Sequence, residues 1–349
     1  MWSTARTISA GDIVIVWLTR DLLQPLRVTP GTDFNSRFGN YRHADFVGIP
    51  YGSKVGARSG RGFVHLLRPT PELWTSALPH RTQIVYLADI AFISAQLNIQ
   101  RGSRVIEAGT GSASFSHSVI RSVGSAGHLW SYEFHEARAA KARDEFTRHG
   151  LLDVVTLAHR NVCKDGFTVT DTADSLFLDI PAPWDAIEHA KKALRKDCIT
   201  RICCFSPCME QVLRTVSALN DAGFTDITMY ETLLRPHDLA QIPALPSIDA
   251  AADKLKHAER RREDKRLLQI AQGQRTKRKR QPDDEELSPK RAKTEEISVK
   301  SDEIPPDLPP PNNKFSVSKV MSEVRGHTSY LTFACLLPDI SLISSAPHP

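Results

Sequence analysis

The sequence predicts an α/β fold with a mostly parallel sheet, preceded by a small unit made only of strands. Between residues 103 and 235, short apolar runs alternate with amphipathic stretches of helical period, and this alternation is typical of βαβ units. Residues 11–68 instead contain short β-type runs separated by turn residues, which indicates strands without helices. We therefore predict four segments, which span residues 1–69, 70–246, 247–320 and 321–349.

The second segment opens with a helical region, predicted over residues 70–100. Thr70 followed by Pro71 is a typical helix start, because threonine caps free backbone N–H groups and proline suits the first helical position. From Ile84 onward, apolar residues recur at helical spacing until Arg101 and Gly102, so the pattern predicts helix up to that point.

Five strands are predicted in the alternating region, on the basis of short apolar runs bounded by polar or turn residues. They cover Arg104–Glu107, His128–Glu133, Val154–Leu157, Ser175–Asp179 and Thr200–Phe205. The amphipathic stretches Glu136–His149 and Trp184–Leu194 are predicted helices between them. A last strand is predicted at His327–Cys335, where an alternating apolar run returns after a charged stretch.

The charged insertion at 247–320 has few aromatic residues and several prolines. Such a composition buries too little apolar surface to offset chain entropy, so we expect most of it to be disordered, with a charged helix at its start over Ala250–Gln272. The basic runs Lys277–Arg280 and Pro289–Lys293 are typical of nuclear import signals, and we expect the protein in the nucleus. A solvated charge run or a non-specific RNA tether is the alternative.

The bulk composition narrows the functional classes. The chain has 349 residues and a formal net charge of +5, a mild bias that suits an RNA partner without requiring one. Its 6 cysteines form no paired C-x-x-C motif, so neither a metal site nor a disulfide framework is expected. No apolar run approaches the roughly 18 residues of a spanning helix, and no secretory signal is expected at the N-terminus.

A glycine loop is the strongest chemical signal. The predicted strand at Arg104–Glu107 runs into Gly109 and Gly111, and a helix follows from Ser114. Glycines allow a tight turn and close approach of a ligand, and the helix N-terminus behind them favours an anion. Glu133, at the end of the next strand, can accept hydrogen bonds from ribose hydroxyls. The pattern fits both a dinucleotide and S-adenosylmethionine, although the third position of a dinucleotide fingerprint is Ser114 rather than glycine.

A second signal is the turn after the predicted fourth strand. Asp179 ends that strand, and Pro181, Pro183 and Trp184 follow it. The prolines fix the backbone and lower the entropy of the loop, which suits a site residue held at a set distance. An acid, prolines and an aromatic residue at this position are common in enzymes that methylate amino groups or ring nitrogens. An N-capping aspartate beside a core tryptophan is the structural alternative.

With these motifs in order, the chain resembles the catalytic subunits of eukaryotic tRNA (adenine-58-N1)-methyltransferases. No single segment is specific, but together they extend over nearly the whole chain in the family order. The matching segments are Pro71–Trp74, Leu78–Ile84, Glu107–Ser112, Gly127–His128, Glu133–His135, Phe177–Trp184, Phe205–Val212 and Gly326–Phe333.

The resemblance implies a class I (Rossmann-like) methyltransferase domain behind a small N-terminal β-barrel domain. It also implies S-adenosylmethionine as cofactor, tRNA as substrate, and a related non-catalytic subunit as partner in an α2β2 heterotetramer. Asp179 is the implied catalytic residue, accepting a hydrogen bond from the target adenine. The implied cofactor-binding residues are Gln83, Ile84, Val85, Tyr86, Leu87, Ala108, Gly109, Thr110, Gly111, Ser112, Ala113, Ser114, Phe115, Glu133, Arg138, Asn161, Val162 and Asp179. The implied substrate-binding residues are Ile180, Pro181, Phe205, Ser206, Pro207, Cys208, Gln211 and Thr328.

The glycine loop departs from the family pattern at one position. The family loop commonly ends in glycine where this chain has Ala113. Alanine is tolerable there if the backbone φ is negative, and strained if φ is positive. Two other functional classes stay open from the residues alone: a methyltransferase acting on a protein or small molecule, and a non-catalytic RNA-binding subunit that kept the fold.

Overall fold

The computed structural model describes residues 2, 4–19, 21–60, 62–233, 237–243, 247–278, 314–320 and 329–339. The chain forms two compact units. The first comprises Met1–Leu234 with Arg325–Pro349, and the second is Arg235–Val324. None of the helices in the described ranges is both long enough and apolar enough to cross a membrane. The predicted segment boundaries at 69, 246 and 320 stay predictions.

The N-terminal region is a small antiparallel sheet with a separate hairpin. Its six strands are β1 (Ile13–Thr19), β2 (Leu22–Arg27), β3 (Asp33–Ser36), β4 (Gly39–Arg42), β5 (Lys54–Gly56) and β6 (Phe63–Leu67). Four of them form a sheet in the order β2-β1-β6-β5, and β3 pairs only with β4. Val14 and Val16 of β1 face one core cluster, and Ile15 faces a second one with Trp74. Burial of both faces explains why β1 is apolar throughout instead of alternating.

The expected N-terminal β-barrel is not found in the described part of this region. The sheet is open, because β2 and β5 are edge strands that do not pair with each other. Strand β5 has only three residues, and β2 contains Pro25, which has no N–H to donate to a further strand. Helix α1 (Pro71–Ala77) packs against β1 and β2. It therefore contacts the edge strand β2, which would pair with another strand in a closed barrel.

The helical region predicted over 70–100 consists of two helices and a loop. Helix α1 begins as expected, with the Thr70 side chain accepting a hydrogen bond from the Leu73 N–H and proline at the first position. The helix ends at Ala77, since Leu78 precedes Pro79 and a residue before proline avoids the helical region. Helix α2 begins only at Leu87 and ends at Gln96. Ile84 is therefore a loop residue.

The centre of the first unit is a seven-stranded sheet with helices on both faces. Its strands are β7 (Arg104–Ala108), β8 (His128–Glu133), β9 (Val155–His159), β10 (Ser175–Leu178), β11 (Thr200–Ser206), β12 (Thr225–Tyr230) and β15 (Tyr330–Leu336). The order is β12-β15-β11-β10-β7-β8-β9, and only β15 runs antiparallel to its neighbours. The predicted α/β class with a mostly parallel sheet is confirmed.

Five further helices and short 3-10 turns connect these strands. They are α3 (Ser114–Val123), α4 (Glu136–Arg148), α5 (Val162–Asp165), α6 (Ile187–Ala193) and α7 (Met209–Asp221), with 3-10 turns at Gly124–Ala126 and Pro183–Ala186. A further 3-10 turn at His43–Phe46 belongs to the N-terminal region. Two core clusters lie on the sheet: one contains Val105, Phe115 and Phe146, and the other contains Ile106, Leu176 and Ile187. The sequence-adjacent pair Val105 and Ile106 points into different clusters, as strand alternation requires.

Strand order reverses between β7 and β10, because β8 and β9 extend the sheet on one side and β10 and β11 on the other. In open α/β sheets a crevice forms at such a point, at the carboxyl ends of the strands. The loops that follow β7, β8, β10 and β11 all begin at this crevice. The fold therefore gathers residues from distant parts of the sequence at one edge of the sheet.

The second unit contains a strand pair and a long helix. Strand β13 (His237–Pro243) pairs antiparallel with β14 (Lys314–Val320), and α8 extends over Ile248–Arg278. These elements lie partly within the insertion at 247–320, and the expectation that most of this insertion is disordered stays a prediction. The helix matches the charged helix expected at the start of the insertion, and β14 is ordered by its ladder with β13. Residues 279–313 lie outside the described residues.

Candidate functional site

Two cavities of about 460 Å³ each open at the reversal point of the sheet. The first, which we call the loop cavity, is lined by the glycine loop, by Glu133 and by Asn161. The second, the tyrosine cavity, is lined by Tyr86, Asp89 and Phe205 among others. Four residues line both: Gln83, Asp179, Ile180 and Pro181. The segment after β10 therefore forms the boundary between the two spaces.

The glycine loop adopts the conformation that its residues predict. Gly109 has a φ of 101°, which is in the region that favours glycine. A Cβ atom at Gly109 would lie 2.1 Å from the Asp179 carbonyl oxygen, and one at Gly111 would lie 2.8 Å from the Thr82 hydroxyl oxygen. Neither position has room for a side chain. The two glycines thus bring the end of β7 into contact with the turn after β10 and leave the loop cavity open beside them.

Ala113 occupies the strained conformation that the sequence left open. Its φ is 63° and its ψ is 26°, the left-handed region, which costs an alanine about 1–2 kcal/mol. The residue is fully buried in the core cluster of Val105 and Phe115. The buried methyl group offsets part of this strain, since a buried CH₂ or CH₃ group contributes about 0.8 kcal/mol. The departure from the family glycine is therefore nearly neutral for stability.

Two serines of the loop hold the segment before α2. The Ser112 hydroxyl oxygen accepts hydrogen bonds from the Arg81 N–H at 2.8 Å and the Thr82 N–H at 3.1 Å. The Ser114 hydroxyl group donates to the Val85 carbonyl oxygen at 3.0 Å. Both serines also line the small space that adjoins the cavities, and their assignment to the cofactor stays a prediction. Their role is to place the backbone of residues 81–85 against the cavities.

Glu133 is nearly inaccessible and almost fully hydrogen-bonded. One carboxylate oxygen accepts from the His135 N–H at 2.9 Å and from the Arg138 guanidinium at 2.8 and 3.0 Å, and the other accepts from the Gly111 N–H at 2.9 Å. Burial alone would raise the pKa of this carboxyl group, but the hydrogen bonds from His135, Arg138 and Gly111 lower it overall. A carboxylate accepts about four hydrogen bonds or slightly more, so Glu133 can accept few further ones. The oxygen that accepts from the Gly111 N–H is the one with room for another donor.

Asp179 follows β10 and lines both cavities. Its N–H donates to the Ala108 carbonyl oxygen at 2.9 Å, which fixes the start of the turn beside the glycine loop. Within the described residues, no hydrogen bond reaches its carboxylate. Burial, and to a smaller extent repulsion from Glu133, raises the pKa of Asp179 to about 7. A carboxyl group that is partly protonated near neutral pH and lacks partners is typical of a functional site.

Glu107, at the end of β7, is a second perturbed carboxyl group. It is buried, and its carboxylate accepts hydrogen bonds from Ser116 at 2.6 Å and Ser131 at 2.8 Å. Burial raises its pKa to about 8 against the lowering effect of those two serines. The group is mostly neutral at pH 7. Because Glu107 is mostly neutral, it adds little negative charge close to Asp179. An ionised Glu107 would favour the protonated form of Asp179 still more.

Gln211 clamps the turn that carries Asp179. Its amide nitrogen donates to the Pro181 carbonyl oxygen at 3.0 Å, and its amide oxygen accepts from the Cys208 N–H at 3.1 Å. The second bond closes a capping box at the start of α7. The helix start and the proline turn are thus tied together. The backbone of the Asp179 turn is held between the glycine loop on one side and this clamp on the other.

Most of the predicted site residues line one of these cavities or a small adjoining space of about 20 Å³. The exceptions are Leu87, which is exposed at the start of α2; Ala113, in the core; Ser206, which is buried; and Cys208, which is exposed at the cap of α7. Phe115 lines only the small space, where its ring packs on Phe177 with centroids 4.4 Å apart. Thr328 lies outside the described residues.

Several cavity residues were not among the predicted ones. In the loop cavity they are Thr82, Tyr132, Phe134, His135, Arg160, Cys163, Ala182 and Asp185, and in the tyrosine cavity they are Asp89 and Ser329. Phe134 and His135 directly follow Glu133, so their position after a strand was a usable signal. Asp89 had no such signal. It is buried in the first turn of α2, accepts a hydrogen bond from Thr232, and has a pKa raised mainly by burial.

A buried polar network supports residues 81–85 from behind. Ligand atoms of His117, Glu145 and His149 lie within 4.8 Å of one another, but Arg81 already forms an ion pair with Glu145 at 2.9 Å. His117 Nδ1 lies 2.7 Å from the Ala113 carbonyl oxygen and its Nε2 lies 2.8 Å from His149 Nδ1. A carbonyl only accepts, so His117 carries its proton on Nδ1 and accepts from His149. Burial is the main cause that lowers the pKa of His117 to about 4, against the raising effect of the Ala113 hydrogen bond, and the pKa of His149 to about 3. The cluster is explained as a neutral histidine pair beside an ion pair, without a cation.

The comparisons with known proteins agree on one family. The family model described as tRNA methyltransferase complex GCD14 subunit matches residues 62–336. The tRNA (adenine(58)-N(1))-methyltransferase catalytic subunit TRM61 of Cryptococcus neoformans is 47% identical over 358 residues, covering 95% of this chain and 82% of that protein. The subunit of the same name in Schizosaccharomyces pombe is 41% identical over 350 residues, covering 95% of this chain and 94% of that protein.

Two solved structures share the fold over nearly the whole chain. A SAM-dependent O-methyltransferase from Thermotoga maritima superposes with a TM-score of 0.67 at 22% identity, covering 97% of each chain. The tRNA (m1A58) methyltransferase TrmI from Aquifex aeolicus gives a TM-score of 0.61 at 17% identity, covering 95% of this chain and all of the other. At these identities the likeness shows the fold, and both support the class I, Rossmann-like architecture.

Proposed function

Because the chain belongs to the family of GCD14 subunits of the tRNA methyltransferase complex, we propose that it transfers a methyl group from S-adenosylmethionine to N1 of adenine 58 in tRNA. One observation carries the proposal. The carboxylate of Asp179 lies on the boundary of two cavities of similar size, so one group can face a methyl donor on one side and a base on the other.

The loop cavity fits the donor. The Cβ positions of Gly109 and Gly111 are blocked by Asp179 and Thr82, so only glycine leaves the backbone of this loop open to a ligand. Glu133 keeps one acceptor position toward Gly111 for a ribose hydroxyl group. Phe134 has 59% of its surface exposed and lines the cavity, where an aromatic ring can pack on a planar base. S-adenosylmethionine supplies an electrophilic methyl group on a sulfonium when it is bound there.

The tyrosine cavity fits a purine base. Its walls are largely apolar, with the aromatic residues Tyr86 and Phe205 and the prolines 181 and 207. Such walls stack on a base, and Asp179 and Gln83 supply polar atoms for its edge. N1 of adenine is on the Watson–Crick edge and is blocked in a paired or stacked base. The target base must therefore leave the RNA fold before it enters the cavity, as base-modifying enzymes require.

Asp179 performs the chemical role. In its ionised form the carboxylate accepts a hydrogen bond from the exocyclic amine of adenine and orients N1 toward the loop cavity. As N1 gains the methyl group, the ring becomes cationic, and the negative charge of Asp179 stabilises that cation. Gln211 and Gly109 hold the Asp179 turn in place, and alignment of two reactants in this way contributes about 7–11 kcal/mol. The enzyme needs no nucleophile of its own.

We propose a related non-catalytic subunit as the partner, in an α2β2 assembly. The words "catalytic subunit" in the names of the relatives support a second subunit. The pair β13–β14 supports it physically, because Ile242 lies opposite Phe315 and Ala240 opposite Val317. These side chains form an exposed apolar face on one side of the ladder, and such faces are typical of protein contacts. Co-purification of the two subunits and the mass of the assembly test the proposed partner, and Phe315→Ser is the variant that tests the apolar face.

The nucleus is the proposed location. The runs at Lys277–Arg280 and Pro289–Lys293 support it by composition alone, and most of both lies outside the described residues. A fluorescent fusion of the full chain tests the proposal. Replacing Lys290, Arg291 and Lys293 by alanine, together with residues 277–280, is expected to move the fusion to the cytoplasm, while replacing Lys254 and Lys256 is not.

Labelled methyl transfer tests the activity. Unmodified tRNA and a tRNA carrying guanine at position 58 are incubated with the enzyme and its partner subunit, and the methylated base is mapped. Label in the first tRNA alone, at N1 of adenine 58, is the expected result. Transfer to protein or to a small molecule, or no uptake of the donor by the enzyme, would contradict the proposal. The first outcome identifies a different substrate, and the second leaves a non-catalytic RNA-binding subunit.

A further inference from the structure

The positive charge of the chain is concentrated in helix α8. Its 31 residues contain five acidic and ten basic side chains, a net charge equal to the +5 of the whole chain. The remainder of the protein is therefore neutral on balance. From residue 253 to 273 the helix is exposed at every position, so none of the charges within this range is satisfied by burial in the fold.

The acidic residues of α8 are confined to one side of the helix. With about 100° between successive residues, the five acids occupy an arc of about 140°: Asp249, Asp253, Glu259, Glu263 and Asp264. The opposite side carries no acid. It presents four basic residues over about 16 Å of helix, which we call the basic stripe: Lys254, Arg261, Arg262 and Lys265.

Salt bridges do not explain this arrangement. Two members of the stripe have an acid at the spacing of helical ion pairs, since Glu259 is three residues before Arg262 and Asp264 is three residues after Arg261. Neither pair is formed in the part of the helix that the structure describes. Lys256, which lies on the acidic side, does pair with Asp253 at 3.7 Å. In the described part of the chain, no ion pair involves a residue of the basic stripe. Four unpaired cations on one side repel each other, so a ligand of opposite charge would stabilise them.

A partner helix does not explain it either. Ile248, Ala251, Leu255 and Ala258 recur at the spacing of a coiled-coil seam, but the next two seam positions are Arg262 and Lys265. A seam needs apolar residues over at least three or four heptads. The exposed Leu267 and Ile270 lie on the acidic side and do not continue it. The stripe therefore fits a polyanion better than a protein helix.

We propose that the basic stripe of α8 binds the phosphate backbone of the tRNA substrate. This inference rests on the proposed function only for the identity of the RNA. Each Lys or Arg that neutralises a phosphate releases a counterion, so binding weakens with salt by about 0.7–0.9 logarithmic units per contact. Such contacts carry no sequence information. The stripe would raise affinity for any tRNA equally and leave the choice of base to the tyrosine cavity.

The test compares two matched variants in the full-length chain purified with its partner subunit. Arg261→Gln with Lys265→Gln removes two charges from the stripe. Lys256→Gln with Arg260→Gln removes the same two residue types from the acidic side of the same helix. Glutamine has nearly the helix propensity of Lys and Arg, and circular dichroism verifies that helix content is equal. Binding of an unmodified tRNA transcript is measured between 0.05 and 0.3 M salt.

We expect the Kd of the stripe variant at about 0.15 M salt to rise roughly tenfold, with the salt slope reduced by about 1.4–1.8. The acidic-side variant should change by less than twofold. At saturating tRNA, kcat of the stripe variant should equal that of the wild type, with the change in KM alone. Donor binding should be the same in all three proteins.

Three results overturn the inference. Equal weakening in both variants means that only the net charge matters. No weakening in either means that α8 does not contact RNA. Dissociation of the subunits in the stripe variant alone, seen by size-exclusion chromatography, means that the stripe is a protein contact. Failure of the proposed function is distinguishable from these, since wild-type enzyme would then bind tRNA without methylating it, and the comparison of Kd values would still report on the stripe.

Discussion

Replacing Asp179 by asparagine is expected to stabilise the protein while it removes the activity. Asparagine keeps the shape of the side chain and has no charge to bury. In the folded protein the pKa of Asp179 is raised from 3.8 to about 7 by burial and by Glu133. A shift of about three units corresponds to about 4 kcal/mol, which is the cost of keeping this carboxylate ionised in the fold at alkaline pH.

The dependence on pH has a definite sign. Between pH 4 and 7 the folded protein retains a proton on Asp179 that the unfolded chain has already released. The contribution of this group to stability is therefore full below pH 4, is lost as pH rises to 7, and stays lost above it. Relative to wild type, Asp179→Asn should gain about 2 kcal/mol at pH 5 and about 4 kcal/mol at pH 8.

Thermal unfolding of the purified enzyme at the two pH values measures this gain. For a domain of this size each kcal/mol shifts Tm by about 2–4 °C, so increases of roughly 6 °C at pH 5 and 12 °C at pH 8 are expected. Asp144→Asn, an exposed acid on α4, controls for the loss of one charge. Methyl transfer by Asp179→Asn should fall at least about 100-fold. An equal gain at both pH values, or a destabilised variant at pH 8, would refute the reasoning about burial.

Three other consequences can be measured. Gly109→Ala places a methyl group 2.1 Å from the Asp179 carbonyl oxygen, so we expect loss of donor binding in calorimetry, whereas Gly102→Ala, which also has a positive φ but meets nothing within 4 Å, should cost only about 1–2 kcal/mol. Ala113→Gly should change the free energy of unfolding by under about 1 kcal/mol, since relief of strain and loss of a buried methyl group nearly cancel. Arg81→Met leaves Glu145 buried and unpaired and should cost about 3–5 kcal/mol in urea unfolding, most of it restored by adding Glu145→Gln.

Each of these comparisons has an outcome that would contradict it. If Gly109→Ala binds the donor normally, the loop and the Asp179 turn are not in contact. A gain of several kcal/mol in Ala113→Gly would mean that the methyl group contributes nothing to the core. If Glu145→Gln fails to restore stability in the Arg81→Met background, the ion pair is not what makes Arg81 necessary.

The sequence predicted an element best where the residues that fix its local backbone also have its role in the tertiary structure. Strand β8 has the predicted bounds, His128–Glu133, because its apolar run ends at a charged residue that begins a loop. The glycine loop and the turn after Asp179 were predictable for the same reason: glycine and proline restrict the backbone locally. In the helical region, Pro79 signals the end of α1, and the prediction of one helical stretch over 70–100 did not use it.

The remaining features depend on contacts that no local pattern contains. Strand β12 was not predicted, since Asp226 has a φ of 52° and the register shifts between Thr225 and Thr228. The closed barrel expected from the family resemblance was not found, because closure depends on whether β2 and β5 pair with each other. The hydrogen bonds of Ser112 and Ser114 reach partners 29–39 residues away. Asp89 joins the tyrosine cavity through a hydrogen bond across 143 residues.

The position of β15 bears on how the protein is made. This strand inserts between β11 and β12, although roughly 100 residues separate it from β12 in the chain. At about 5–20 residues per second, a ribosome needs on the order of 5–20 seconds to deliver it. Throughout that interval two neighbouring strands expose unpaired backbone edges, which attract other chains. Ser329, just before β15, also lines the tyrosine cavity. A product that lacks β15 is thus both prone to aggregate and without a finished base pocket, which makes synthesis of this strand a requirement for catalysis.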